Sequence, residues 1–148
     1  MSIKEIMTSE VIAVTQETTV DEAARLLLEH KISGLPVVDE QQQVVGMVTE
    51  ADLIYQAKEL HTPAFTEILG GVIFLEDPDN FKKQLQKMSG YRVADVMTTP
   101  VFTVAADASK EEVATMMVEQ GINRVPVVGT DGRLQGIVSR QDLLSAMF

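Results

Sequence analysis

Two short stretches of the chain carry side chains whose types and spacing could hold a ligand. Gly46-Met47-Val48-Thr49-Glu50-Ala51-Asp52 is matched later by Gly136-Ile137-Val138-Ser139-Arg140-Gln141-Asp142. Each has a glycine, then apolar residues, then a hydroxyl residue, and an aspartate three positions after it. Where a strand runs into a helix, free N–H groups and the positive end of the helix dipole favour phosphate or other polar oxygens. A hydroxyl at that junction can donate to phosphate or ribose. A carboxylate one turn inside only accepts, and its two oxygens match the two hydroxyls of a ribose diol. The glycine lets the backbone come close to a ligand. Such a set suits a nucleoside or nucleotide. A plainer reading stands beside it: Thr or Ser at a helix start with Asp three residues on is a variant capping box, which needs no ligand at all.

The elements that must position these residues come in duplicate. Sliding the chain along itself by about 90 positions aligns its two ends without a gap, with roughly fifteen identities in about fifty pairs. Met7-Thr8 falls on Met97-Thr98, Pro36-Val37-Val38 on Pro126-Val127-Val128, and Asp52-Leu53 on Asp142-Leu143. In each copy a short β-prone stretch comes first (Val11 to Val14, Val101 to Val104) and is expected to be a strand. Thr19-Val20-Asp21-Glu22 and Ser109-Lys110-Glu111-Glu112 are expected capping boxes in which hydroxyl and carboxylate both satisfy helical N–H groups. The helix behind the first places Val20, Ala23, Ala24, Leu27 and Leu28 on one face; the second places Val113, Ala114, Met117 and Val118 there. Leu35 to Val38 and Val44 to Val48 form an expected antiparallel hairpin, and the copy of it turns at Thr130-Asp131-Gly132. A helix opened by Thr49 or Ser139 ends each unit. Units of about 50 residues bury too little surface to be comfortable alone. The expected fold class is therefore α+β: two β-α-β-β-α repeats packed sheet to sheet with pseudo-two-fold symmetry. The expected boundaries are 1–58 for the first repeat, 59–92 for an insertion and 93–148 for the second repeat. Within the insertion, Glu76 to Asn80 reads as a turn and Phe81 to Met88 as a helix ended by Gly90.

Composition narrows the function classes. The chain has 148 residues, 45% of them hydrophobic, and a net charge of −10. That charge argues against nucleic acid and anionic membrane surfaces as partners. Without cysteine there is no disulfide, thiolate nucleophile or cysteine-bound zinc. The start of the chain lacks a signal-peptide pattern, and the longest apolar stretch, Ile68 to Leu75, is too short to span a bilayer. A cytoplasmic location is expected. His30 and His61 have no second ligand spaced to join them, Glu111-Glu112 and Asp21-Glu22 lie in first helical turns, and Met47, Met116 and Met117 fall on core-facing or strand positions. No nucleophile–base pair, metal-ligand cluster or Gly-rich phosphate loop is present, so no catalytic residue or metal site is expected.

Taken together, Met7-Thr8, Ile32-Ser33-Gly34-Leu35-Pro36-Val37-Val38 and Gly46 to Leu53, with their counterparts up to Leu143, resemble a tandem pair of CBS domains, or Bateman module. The resemblance covers nearly the whole chain outside the 59–92 insertion. It implies a non-catalytic regulatory module that binds AMP, ADP, ATP or S-adenosylmethionine in clefts between the repeats and signals occupancy by changing shape. It also implies homodimers and a separate regulated protein. Carried over by position, Thr49 and Asp52 would act with Ile122, Asn123 and Arg124, and Ser139 and Asp142 with Ile32, Ser33 and Gly34. The aspartates would hold ribose and the Ile-x-x segments would flank adenine. Arg124 faces phosphate in this scheme where its counterpart is Gly34, so the Thr49/Asp52/Arg124 set is expected to bind nucleotide better. The rival expectation is a structural or protein-interaction module whose clefts stay empty.

Overall fold

The structure, a computed structural model, describes residues 2–59 and 91–148. In chain order the elements are α1 (Ile3–Ile6), α2 (Val20–His30), β1 (Gly34–Val38), β2 (Val44–Thr49), α3 (Glu50–Glu59), α4 (Val93–Val96), β3 (Val104–Ala105), α5 (Lys110–Gln120), β4 (Arg124–Val128), β5 (Leu134–Ser139) and α6 (Arg140–Met147). Their mixture is that of an α+β protein. The expected turn at Glu76 to Asn80 and helix at Phe81 to Met88 lie outside the described residues.

Local chemistry explains the boundaries. α2 starts where the Glu22 N–H donates to Thr19 Oγ1 at 3.3 Å, and α5 where the Glu112 N–H donates to Ser109 Oγ at 3.1 Å. The expected return bonds from the Glu22 and Glu112 carboxylates are not formed; both side chains face solvent, and only the hydroxyl half of each box exists. Both helices end on a left-handed residue, Lys31 at φ 53° and Gly121 at φ 64°. β1 and β2 pair through a turn in which Asp39 Oδ1 accepts from the N–H groups of Gln41 and Gln43, both at 2.9 Å. β4 and β5 pair antiparallel as expected, with a bulge past Val127.

The expected first strand is much shorter than Val11 to Val14. Only Val14 bridges, to Val37 in parallel, and its counterpart β3 has two residues. Val14 is buried whereas Val11, Ile12 and Ala13 are half-exposed, so only one side chain is there to hold a ladder. On α5 the core face is narrower than the pattern suggested. Val113 and Met117 are buried, but Val118 is 83% exposed. Five residues at about 100° each carry Val118 roughly 140° away from Val113, off the buried stripe.

The chain gathers into two compact units that do not coincide with the sequence repeats. One holds residues up to Ala13, Val38–Val45 and Pro100–Phe148; the other holds Val14–Val37 and the described part of Gly46–Thr99. In the first unit α1 packs on β5 and α6. The Ile3 N–H donates to Ala108 O at 2.9 Å and the Lys4 N–H to Ala106 O at 3.0 Å. Ile3 is fully buried there with Val104, Val113, Met117, Val125, Val127, Val138 and Leu143. In the second unit α4 packs on α3, and Val93 and Ala94 donate to Thr18 O and Gln16 O at 2.8 and 3.1 Å. Its buried side chains include Val20, Ala23, Ala24, Leu27, Leu35, Val37, Val48, Leu53 and Val93. The leading segment of each repeat is thus built into the unit that carries the other repeat's strands. Among the described residues no helix is long and apolar enough to cross a membrane.

Candidate functional site

Both strand-to-helix junctions are closed by their aspartates. At the first, the Thr49 N–H donates to Asp52 Oδ2 at 2.9 Å and the Asp52 N–H to Thr49 Oγ1 at 3.2 Å. At the second, the Ser139 N–H donates to Asp142 Oδ2 at 3.0 Å and the Asp142 N–H to Ser139 Oγ at 3.1 Å. The reciprocal capping box therefore forms with aspartate here, whereas the glutamates of α2 and α5 do not complete theirs. Each such cap is worth about 1 kcal/mol to its helix. A third junction amide is taken as well. The Glu50 N–H donates to Ser33 O and the Arg140 N–H to Asn123 O, both at 2.9 Å. The free N–H groups expected at these junctions are largely spent on protein acceptors.

The glycines have a different neighbour from the one expected. A Cβ at Gly46 would lie 2.9 Å from Met97 Sδ and 3.2 Å from Thr98 O. One at Gly136 would overlap Met7 Sδ and sit 2.9 Å from Thr8 O. The close approach that requires glycine is therefore to the exchanged Met-Thr segment. Backbone bonds hold it there: Thr98 N–H to Met47 O at 2.7 Å and Met47 N–H to Thr98 O at 3.2 Å. In the other unit the Thr8 N–H donates to Ile137 O at 2.9 Å and the Ile137 N–H to Thr8 O at 3.0 Å.

These segments also bring two hydroxyls to the site that sequence reasoning missed. Thr98 Oγ1 donates to Asp52 Oδ1 at 2.9 Å, and Thr8 Oγ1 donates to Asp142 Oδ2 at 3.5 Å. The repetition of Met-Thr at positions 7–8 and 97–98 was the available signal, but nothing in one-dimensional spacing ties it to an aspartate more than 40 residues away.

The remaining expected site residues fall as follows. Arg124 opens β4 and pairs with Ser139 on β5, so Asn123, Arg124, Ser139 and Asp142 belong to one unit. Ser33, Gly34, Thr49 and Asp52 belong to the other. Ile32 and Ile122 follow the left-handed helix ends, and their N–H groups donate to Leu27 O and Met117 O, both at 3.1 Å. Arg140 is exposed. Chemically, each carboxylate remains an acceptor: an ionised oxygen takes more than one donor, and Asp142 Oδ1 has no hydrogen-bond partner among the described residues. Among the described residues no group of three or more His, Cys, Asp or Glu side chains could hold a metal ion.

The duplicated elements agree with comparisons to known proteins. The CBS domain family model matches residues 3–59 and 93–148, and the chain belongs to that family as a tandem pair. It is 35% identical over 139 residues to the chloroplastic CBS domain-containing protein CBSX1 of Arabidopsis thaliana, covering 90% of this chain and 57% of the relative. The chain thus spans little more than half the length of that relative. Among solved structures it resembles CBSX2 in complex with AMP, at 30% identity and TM-score 0.73, covering 99% of this chain and 95% of that one. The CBS domain pair of MJ0100 in complex with 5′-methylthioadenosine and S-adenosylmethionine is similar at 26% identity and TM-score 0.73, covering 99% and 95%.

Proposed function

We propose that the chain is a non-catalytic regulatory module that binds an adenosyl ligand and reports its presence by a change of shape. The carboxylates of Asp52 and Asp142 each hold the ribose diol of a bound ligand, Ile32 and Ile122 each lie against an adenine, and Arg124 meets phosphate. Thr49 and Ser139, with Ser33, Gly34 and Asn123, complete the binding surface. The observation that carries this reading is an acceptor carboxylate that caps its helix through the same backbone bond at two equivalent junctions. It occurs in a chain similar over nearly its whole length to a protein solved with AMP. A ligand with different affinity for two arrangements of the chain shifts the population between them, which is all that signalling requires. A homodimer, a separate regulated protein and a cytoplasmic setting belong to the same proposal.

Arg124 supplies a charge-assisted donor to the phosphate of phosphorylated ligands. Unphosphorylated adenosyl groups, as in S-adenosylmethionine, do without that contact. A second reading is favoured by the capping geometry: a structural or interaction module in which both carboxylates serve only their helices. Thermal denaturation with AMP, ADP, ATP and S-adenosylmethionine separates the two. A ligand at about 100 times its dissociation constant stabilises by roughly 2.7 kcal/mol, about 5–11 °C for a chain of this size. Unchanged melting temperatures across the panel would leave the structural reading.

A further inference from the structure

The two site carboxylates are anchored differently, and the difference comes from the exchanged threonines. Asp52 is held at both oxygens, Oδ2 by the Thr49 N–H and Oδ1 by the Thr98 hydroxyl, each at 2.9 Å. Two anchors fix the plane of a carboxylate. At Asp142 both bonds fall on Oδ2, from the Ser139 N–H at 3.0 Å and the Thr8 hydroxyl at 3.5 Å, the latter at the limit of a hydrogen bond. One anchored oxygen leaves the other free to swing. Thr98 itself cannot drift, since its backbone is bonded in both directions to Met47 on the strand that leads into the junction.

A ribose diol bonds both oxygens of a carboxylate only if the carboxylate plane faces it, whereas a single hydroxyl is served by almost any orientation. We propose that Thr98 is a positioning residue that orients Asp52 for a ribose diol, and that Thr8 does so only weakly for Asp142. The first junction is then selective for ribo- over deoxyribo-ligands and the second is not. This rests on the reading that the carboxylates hold ribose.

The test is calorimetric titration with AMP and 2′-deoxyAMP, with Asp142→Ala isolating the first junction and Asp52→Ala the second. With Asp142→Ala alone, AMP is expected to bind at least about tenfold more tightly than 2′-deoxyAMP, the scale of one charge-assisted hydrogen bond. Adding Thr98→Val, which replaces the hydroxyl by a methyl group of similar size, should weaken AMP about tenfold, leave 2′-deoxyAMP nearly unchanged and so collapse the ratio. Thr98→Ser should restore it. In the Asp52→Ala protein, Thr8→Val should change the ratio by less than about threefold. A Thr98→Val protein that melts earlier yet keeps the full AMP to 2′-deoxyAMP ratio would overturn the proposal and leave Thr98 a structural clip. A ratio near one with Thr98 intact would also overturn it while AMP binding itself stands. If neither the unaltered protein nor the single aspartate variants bind AMP, the ribose reading fails, and the positioning role falls with it.

Discussion

Lys31 and Gly121 hold the same left-handed backbone at equivalent places in the two repeats, with φ of 53° and 64°. A second pair behaves alike: Gln42 at φ 65° and Gly132 at φ 81°. In both pairs the second repeat uses glycine, while the first puts a side chain where a Cβ crowds the following carbonyl. That crowding costs about 1–2 kcal/mol, of which glycine's extra freedom in the unfolded chain takes back about 0.5–1. Lys31→Gly and Gln42→Gly are each expected to raise the unfolding free energy by roughly 0.5–1 kcal/mol, seen as a higher denaturant midpoint at unchanged slope. A lower midpoint would contradict the strain assigned to these turns.

Gly46 and Gly136 should tolerate a methyl group unequally. The Cβ of Gly46→Ala meets a flexible methionine first and the Thr98 carbonyl at 3.2 Å, whereas that of Gly136→Ala meets the Thr8 carbonyl at 2.9 Å, closer than a backbone contact allows. Overpacking of this kind costs about 1–3 kcal/mol. Gly136→Ala is expected at the upper end and Gly46→Ala at the lower, compared by thermal denaturation. Melting temperatures for both variants equal to that of the unaltered protein would show that the exchanged segment is not held tightly against either strand.

Ile3 stands near the start of the described chain, yet it is fully buried in the core that Val113, Val125 and Leu143 build. Ile3→Ala should therefore cost about 2–5 kcal/mol, as for any large core residue cut to alanine. Urea denaturation of this variant beside Ile6→Ala, where the side chain is only half-buried, checks it. A loss below about 0.5 kcal/mol for Ile3→Ala would mean that α1 does not belong to that core.

Much of this architecture is legible in the sequence because the chain states it twice. Capping residues Thr19, Ser109 and Ser139, the apolar face of α2 and both hairpins follow from local patterns read in parallel. The exchange of leading segments is not legible. It pairs residues such as Thr98 with Asp52 and Ile3 with Ala108, and periodicity within a repeat carries no record of which unit a segment joins. For that reason the glycines read as room for a ligand when they are room for Met7, Thr8, Met97 and Thr98. The aspartates were recognised by type and spacing. The division of labour at Asp52, Oδ2 for the helix cap and Oδ1 for the Thr98 hydroxyl, is not legible there, because it depends on the exchanged segment.

The proposed homodimer has a simple check on the exposed apolar side chains of the first unit's helices. Val118 on α5 is 83% exposed and Leu144 on α6 is 52% exposed. Sedimentation should give a dimer for the unaltered chain and a monomer for Val118→Lys combined with Leu144→Lys, since a lysine is poorly accommodated in a packed apolar interface. A monomer before any substitution would contradict the assembly.

The central claim is that the carboxylates capping the two junctions also hold a ribose. Titration calorimetry of AMP into the unaltered protein and into the Asp52→Ala, Asp142→Ala and double variants tests it most directly. The account predicts saturable binding, a larger loss of affinity for Asp52→Ala than for Asp142→Ala, and no binding in the double variant. AMP binding that survives the double substitution undiminished would contradict it.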